Sequence, residues 1–200
     1  SNTLEKLISL IDPQYNIYSN YYTFTKYLTS IEQWGEIGVC FIGFSNCTNL
    51  NKVANNATQN TFVNVKSMEF MFDLCTSLQE LDLECFDMSN ITNINYMFNA
   101  CGNLQKLSVS TWDTSKITTM QNTFAYCYKL NNIEVTKWDV SNVQYMNWLF
   151  SQCFSVEKLD VSNWNTSNVQ VMCGLFNKCR SLTSLDVSNW DTKKVNNFYM

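Results

Sequence analysis

The sequence predicts an α/β repeat architecture: a right-handed solenoid with short parallel strands on its concave face and short helices or 3-10 turns on its convex face. Three observations predict it. Phe72, Phe98, Phe124, Phe150 and Phe176 recur at a period of 26 residues, and Cys75, Cys101, Cys127, Cys153 and Cys179 keep step with them. Each unit alternates apolar and polar residues over a short stretch, then spaces its apolar residues three and four apart. One proline and five glycines in 200 residues are too few to punctuate a fold built of hairpin turns.

Residues 1–43 precede the repeat, and Leu4, Leu7, Ile8 and Ile11 at helical spacing predict an N-terminal helical cap over the first unit. Residues 44–71 form a divergent first repeat, in which Phe44, Cys47, Leu50 and Val53 match the later pattern at an offset of 28 rather than 26. Residues 72–200 hold the five regular units. Within a unit, Leu81 and Leu83 point inward at strand spacing while Glu80, Asp82 and Glu84 point outward. Ile91, Ile94, Phe98 and Cys101 follow at steps of three, four and three, a helical spacing for which Asp87 or Ser89 is the natural cap. Threonines and β-branched residues weaken helix propensity over the same stretch. Strands that recur once per unit across such a return pair in parallel, through right-handed crossovers. The chain begins at Ser1 and stops at Met200, one residue before another Met-Phe pair falls due, so a fragment without a C-terminal cap is expected.

Composition narrows the function. Thirteen basic and 17 acidic residues give a net charge of −4, with no electrostatic reason to bind nucleic acid or anionic lipid. No run approaches the apolar length of a membrane span, so no membrane insertion is expected. Histidine is absent, which removes the commonest general base and metal ligand. No nucleophile, base and orienting group recur together, and the carboxylates fall in regular columns rather than convergent pairs, so no enzyme is expected.

The unit Cys153–Cys179, containing Leu159-Asp160-Val161-Ser162-Asn163-Trp164-Asn165-Thr166-Ser167-Asn168-Val169, carries the pattern most clearly. Over residues 44–200 this pattern resembles the repeat of BspA-like surface proteins and mycoplasma-type surface lipoproteins. It is also similar to the cysteine-containing class of leucine-rich repeats, so the solenoid expected is leucine-rich-repeat-like. The resemblance implies a cell-surface or secreted bacterial protein whose repeats serve adhesion or host contact. The chain departs from the family pattern in keeping Cys in every repeat, and in using Phe86 for Trp and Lys193 for the column Ser.

Shared columns have packing explanations. Of nine cysteines, five share one column and none forms C-x-x-C, so buried free thiols are expected rather than zinc ligands or bridges, and no cofactor. Asp87, Asp113, Asp139 and Asp191 suit capping better than a calcium ladder, and the tryptophan column suits core stacking better than a carbohydrate platform. Variable positions are where function has room. Asp82, Glu134, Asp160 and Asp186 form a mildly acidic stripe on the outward strand face. Tyr126, Tyr128, Tyr145, Trp148 and Phe154 gather in the middle repeats as a candidate recognition patch for a protein or glycan ligand. The expected function is a non-enzymatic interaction module. The alternatives are a structural spacer of a surface protein and an intracellular or effector repeat scaffold, which unpaired cysteines suit.

Overall fold

The computed structural model describes residues 27–34, 43–58, 61–62 and 64–197. Its strands are short: β1 (Ser30–Ile31), β2 (Lys52–Val53), β3 (Glu80–Asp82), β4 (Lys106–Ser108) and β5 (Asn132–Ile133). β1 pairs with β2, and β3, β4 and β5 form a second sheet in sequence order, every pairing parallel. The register follows the repeat, with Leu81 opposite Leu107 and Leu107 opposite Ile133, each 26 residues on. Leu81, Leu107 and Ile133 face the core while their strand neighbours are exposed, as alternation requires.

A second parallel ladder runs along another side of each unit. Single bridges join Ser67 to Asn93, Asn93 to Thr119, Thr119 to Tyr145, Tyr145 to Val171 and Val171 to Asn197. Between the two ladders lies a turn segment in which unit bonds to unit. Phe72, Phe98, Phe124 and Phe150 donate their N–H groups to the carbonyls of Met97, Thr123, Leu149 and Leu175 of the next unit, at 2.8–2.9 Å.

Of the short helix or 3-10 turns expected, the segment takes a chain of turns closed by bonds three residues back, such as Met97 N–H to Ile94 O and Cys101 N–H to Phe98 O, and no helix occurs among the described residues. Ile91, Ile94, Phe98 and Cys101 are all buried, so their inward spacing is realised without a helix. The reason lies in where the backbone donors go. Ile94 N–H reaches Thr119 O of the next unit and Tyr96 N–H reaches Gln121 O, which leaves no donor for the bond four residues back that a helix needs. Left-handed residues interrupt the segment twice per unit, at Tyr96 and Ala100, Asn122 and Tyr126, Trp148 and Gln152. Asp87, Asp113, Asp139, Asn165 and Asp191 each accept the N–H two residues on, so they cap a turn rather than a helix.

The core is a set of columns, each residue type packed on its own copy in the next unit. Phe44, Phe72, Phe98, Phe124, Phe150 and Phe176 stack at centroid distances from 5.3 to 6.0 Å. Trp112 stacks on Trp138 at 6.0 Å, and Trp164 on Trp190 at 6.3 Å. The indole Nε1 of Trp112, Trp138, Trp164 and Trp190 donates to Leu83, Val109, Val135 and Val161 O of the preceding unit. The column cysteines do the same: Cys75, Cys101, Cys127, Cys153 and Cys179 direct Sγ–H at Phe44, Phe72, Phe98, Phe124 and Phe150 O, at 3.0–3.2 Å. Each thiol thus donates to a carbonyl that also accepts the backbone N–H three residues on, while filling the volume of a small apolar side chain. All eight described cysteines are free, Cys85 and Cys173 included, and Cys40 lies outside the described residues.

At the N-terminal end, Trp34 packs edge-on against Phe44, Phe62 and Phe86. Leu4, Leu7, Ile8 and Ile11 of the expected cap, and Phe198 of the last unit, lie outside the described residues.

Candidate functional site

Asp82, Glu134, Asp160 and Asp186 are all exposed, but only Asp82 lies within a strand, β3; Glu134 follows β5, and Asp160 and Asp186 lie where the expected strands do not form. Three of these carboxylates already have work to do. Asp82 Oδ1 accepts Glu84 N–H at 3.1 Å, Asp160 Oδ1 accepts Ser162 N–H at 3.2 Å, and Asp186 Oδ1 accepts Ser188 N–H at 3.0 Å. Asp160 and Asp186 also accept the Ser162 and Ser188 hydroxyls at 2.7 Å. These bonds from Ser162 and Ser188 hold both carboxyls below the ordinary carboxylate value. Turn formation therefore accounts for the residue type at these positions. Glu134 lines a shallow 380 Å³ groove over β4 with Glu84, Lys106, Ser108, Ser110 and Asn132. Two of its charges are spent within the chain: Lys106 on Glu80 at 3.1 Å, and Glu84 on the Ser110 hydroxyl at 2.6 Å.

The aromatic residues separate into three places. Tyr126, Tyr128 and Phe154 come together: Tyr126 meets Tyr128 edge-on at 6.3 Å, and Tyr128 stacks on Phe154 at 5.1 Å. Trp148 lies against the next unit, where Gly174 occupies its column at φ 63. A Cβ at Gly174 would come within 2.4 Å of the indole, so this glycine is needed twice over, for its backbone angle and for the room it leaves. Tyr145 stands apart on the bridge ladder between Thr119 and Val171.

Sequence reasoning missed two members of this surface. Arg180 sets its guanidinium carbon 4.7 Å from the Phe154 centroid. Phe70 stacks on Tyr96 at 4.8 Å. The repeat period held the signal in both cases, since Arg180 follows Tyr128 and Phe154 in one column and Phe70 precedes Tyr96 and Trp148 in another.

Backbone geometry sets this surface apart from the core. Phe70, Leu74, Tyr96, Tyr126 and Trp148 sit at φ between 56 and 61, a region that costs a non-glycine residue about 1–2 kcal/mol. Three of the five are exposed, Phe70 at 40%, Leu74 at 41% and Tyr126 at 39%. Tyr128, beside Tyr126, is 41% exposed. Large side chains thus stand in solvent, several at backbone positions where glycine or asparagine is the easier choice.

Among the described residues, no group of three or more Cys, Asp or Glu is placed to hold a metal ion, and no helix is long and apolar enough to cross a membrane. The chain matches one family model three times, over residues 16–108, 40–158 and 99–200, and the model's description reads "Mycoplasma protein of unknown function, DUF285". No curated protein and no solved structure matches it. The overlapping matches run in step with a repeat protein and take in nearly all of the chain, which belongs to this family of Mycoplasma-type repeat proteins.

Proposed function

We propose that this chain is a non-enzymatic interaction module of a bacterial cell-surface repeat protein, acting in adhesion or host contact as the resemblance to BspA-like proteins implies. It binds a protein or glycan through the aromatic patch of its middle units, without a cofactor. In this reading the stacked units are the turns of one right-handed, leucine-rich-repeat-like solenoid, the hand that parallel crossovers take. The observation that carries the proposal is the exposure of Tyr126 and Tyr128 at 39% and 41%, with Tyr126 on a left-handed backbone. Core packing does not explain large rings in solvent, whereas clustered exposed aromatics are what interfaces use.

A second reading, a structural spacer, is favoured by the turn bonds of Asp82, Asp160 and Asp186, which explain the acidic stripe without any ligand.

Arrays of extracellular-matrix proteins and glycans, probed with the purified chain, separate the two. Alongside the wild type run a variant with Tyr128, Trp148 and Phe154 changed to Ala, and one with Asp82, Asp160 and Asp186 changed to Lys. The module reading expects specific binding that the aromatic variant loses and the lysine variant keeps. Loss in the lysine variant alone moves the site to the strand face, and no binding by the wild type leaves the spacer.

A further inference from the structure

We infer that the partner at the Tyr126–Tyr128–Phe154–Arg180 patch is an acidic, extended segment of another protein, held by carboxylate pairing to Arg180 and its neighbouring lysines. This inference rests on the interaction-module reading and narrows the class of ligand.

The first support is that the ring faces of Tyr128 and Phe154 are occupied. Gly102, Tyr128, Phe154 and Arg180 are successive members of one column. On one side of Tyr128, a Cβ at Gly102 would stand 3.1 Å from the ring, so the ring lies directly on that backbone. On the other side Phe154 covers it at 5.1 Å, and Arg180 covers the next face of Phe154 at 4.7 Å. A sugar or a nucleobase recognised by stacking needs a free ring face. This column offers ring edges instead, which carry the positive end of the aromatic quadrupole.

Charge supplies the second support. The turn segments 120–130, 146–156 and 172–182 contain Lys129, Lys178 and Arg180 and no Asp or Glu, in a chain whose net charge is −4. All three cations are exposed, and none belongs to an ion pair among the described residues. Lys52 and Lys106, by contrast, are matched to Glu32 and Glu80. The charges of these three segments are thus all positive and unpaired among the described residues, with Glu157 the nearest acidic residue in the sequence to Phe154. Stacking on Phe154 also fixes the plane of the Arg180 guanidinium, which pre-organises its fork of donors for a carboxylate.

Dimensions supply the third. Three successive units, separated by two spacings of roughly 4.8 Å, give a site on the order of 10 Å long, which suits about three residues of extended chain. Rings already stacked in the free protein lose little freedom on binding.

The test is fluorescence anisotropy with labelled short peptides in which glutamate alternates with tyrosine or proline. A matched set carries lysine for glutamate, and heparin oligosaccharides serve as the anionic glycan. The acidic set is expected to bind, more weakly as salt rises. Arg180→Glu is expected to weaken it at least about tenfold and Arg180→Lys about threefold, with thermal unfolding unchanged because the side chain is exposed. Equal binding of the lysine set, indifference to Arg180→Glu, preference for heparin, or no binding by any acidic peptide overturns the inference. An array ligand lost in the aromatic variant but kept in Arg180→Glu overturns the acidic partner alone and leaves the module standing. Failure of every array removes both.

Discussion

The unit at residues 120–145 and the unit at residues 172–197 follow one pattern, yet they are buried to different extents. Phe124, Leu130, Val135 and Trp138 are closed off from solvent at 0 to 3%. Their counterparts Phe176, Leu182 and Trp190 are half-buried, and Val187 is 41% exposed. Residue type does not distinguish the two, because Leu130 and Leu182 are the same residue in the same column. Residues 146–171 pack on the following side of the unit at 120–145. Burial here belongs to the pair of units, and one unit's apolar face is completed by the next. The exposed aromatics do not follow this rule: Tyr126 sits in the well-covered unit and is still 39% exposed.

The largest effect expected from this comparison is at the phenylalanine column. Phe124 is stacked from both sides, at 5.7 Å by Phe98 and 5.3 Å by Phe150, so Phe124→Ala should cost about 3–5 kcal/mol in denaturant unfolding. Phe176→Ala, at the half-buried counterpart stacked on Phe150, should cost less than half as much. Equal costs would break the comparison.

The tryptophan column should give a smaller effect. Trp138→Phe keeps most of the ring and removes the Nε1 bond to Val109 O, a carbonyl that still accepts Trp112 N–H, at a cost of about 0.5–1.5 kcal/mol. Trp190→Phe should cost less, because the Trp190 side chain is only half-buried.

The thiols carry the same contrast into pH. Burial pushes Cys179 up to about 11 from the ordinary 9.0, and it pushes Cys101, Cys127 and Cys153 well above that ordinary value. In the unfolded chain each thiol ionises near its ordinary value, so the stabilisation is complete below about pH 9. It is lost as pH rises, through about 11 for Cys179 and further up for the middle thiols. Stability measured from pH 8 to 11 should therefore fall on the alkaline side by about 1.4 kcal/mol per pH unit for each buried thiol that titrates only when unfolded. Cys127→Ala should lessen this fall more than Cys179→Ala does. A flat profile would mean that the middle thiols are not shielded from ionisation.

The smallest effect belongs to the surface pairs. Lys106 and Glu80 are each 65% exposed, so Glu80→Gln should change stability by less than about 0.5 kcal/mol, within the error of an unfolding curve.

Much of this was legible in the sequence, because a period held over five units marks which residues share an environment. The strand at Leu81, the buried thiols and the tryptophan stack all follow from columns. The turn segment was not legible, since the spacing of Ile91, Ile94, Phe98 and Cys101 satisfies a helix and a chain of turns alike. Bonding between units decides for the turns, and it depends on a neighbour that a single unit's sequence does not describe. The acidic stripe was read correctly as exposed, but Asp160 and Asp186 prove to be held by Ser162 and Ser188 two residues on. Arg180 is legible only when the column of Tyr128 and Phe154 is followed past its aromatic members, where it continues as a cation over the last ring.

The central claim is that the aromatic surface serves binding and the columns serve stability, and Tyr126→Gly tests it most directly when unfolding and binding are measured on the same protein. Relief of the left-handed backbone, about 1–2 kcal/mol, should offset the lost edge contact with Tyr128. The account predicts unfolding within about 1 kcal/mol of the wild type, together with loss of the ligand found on the arrays. Destabilisation on the scale of Phe124→Ala with binding intact would contradict it, and would place Tyr126 among the packing residues.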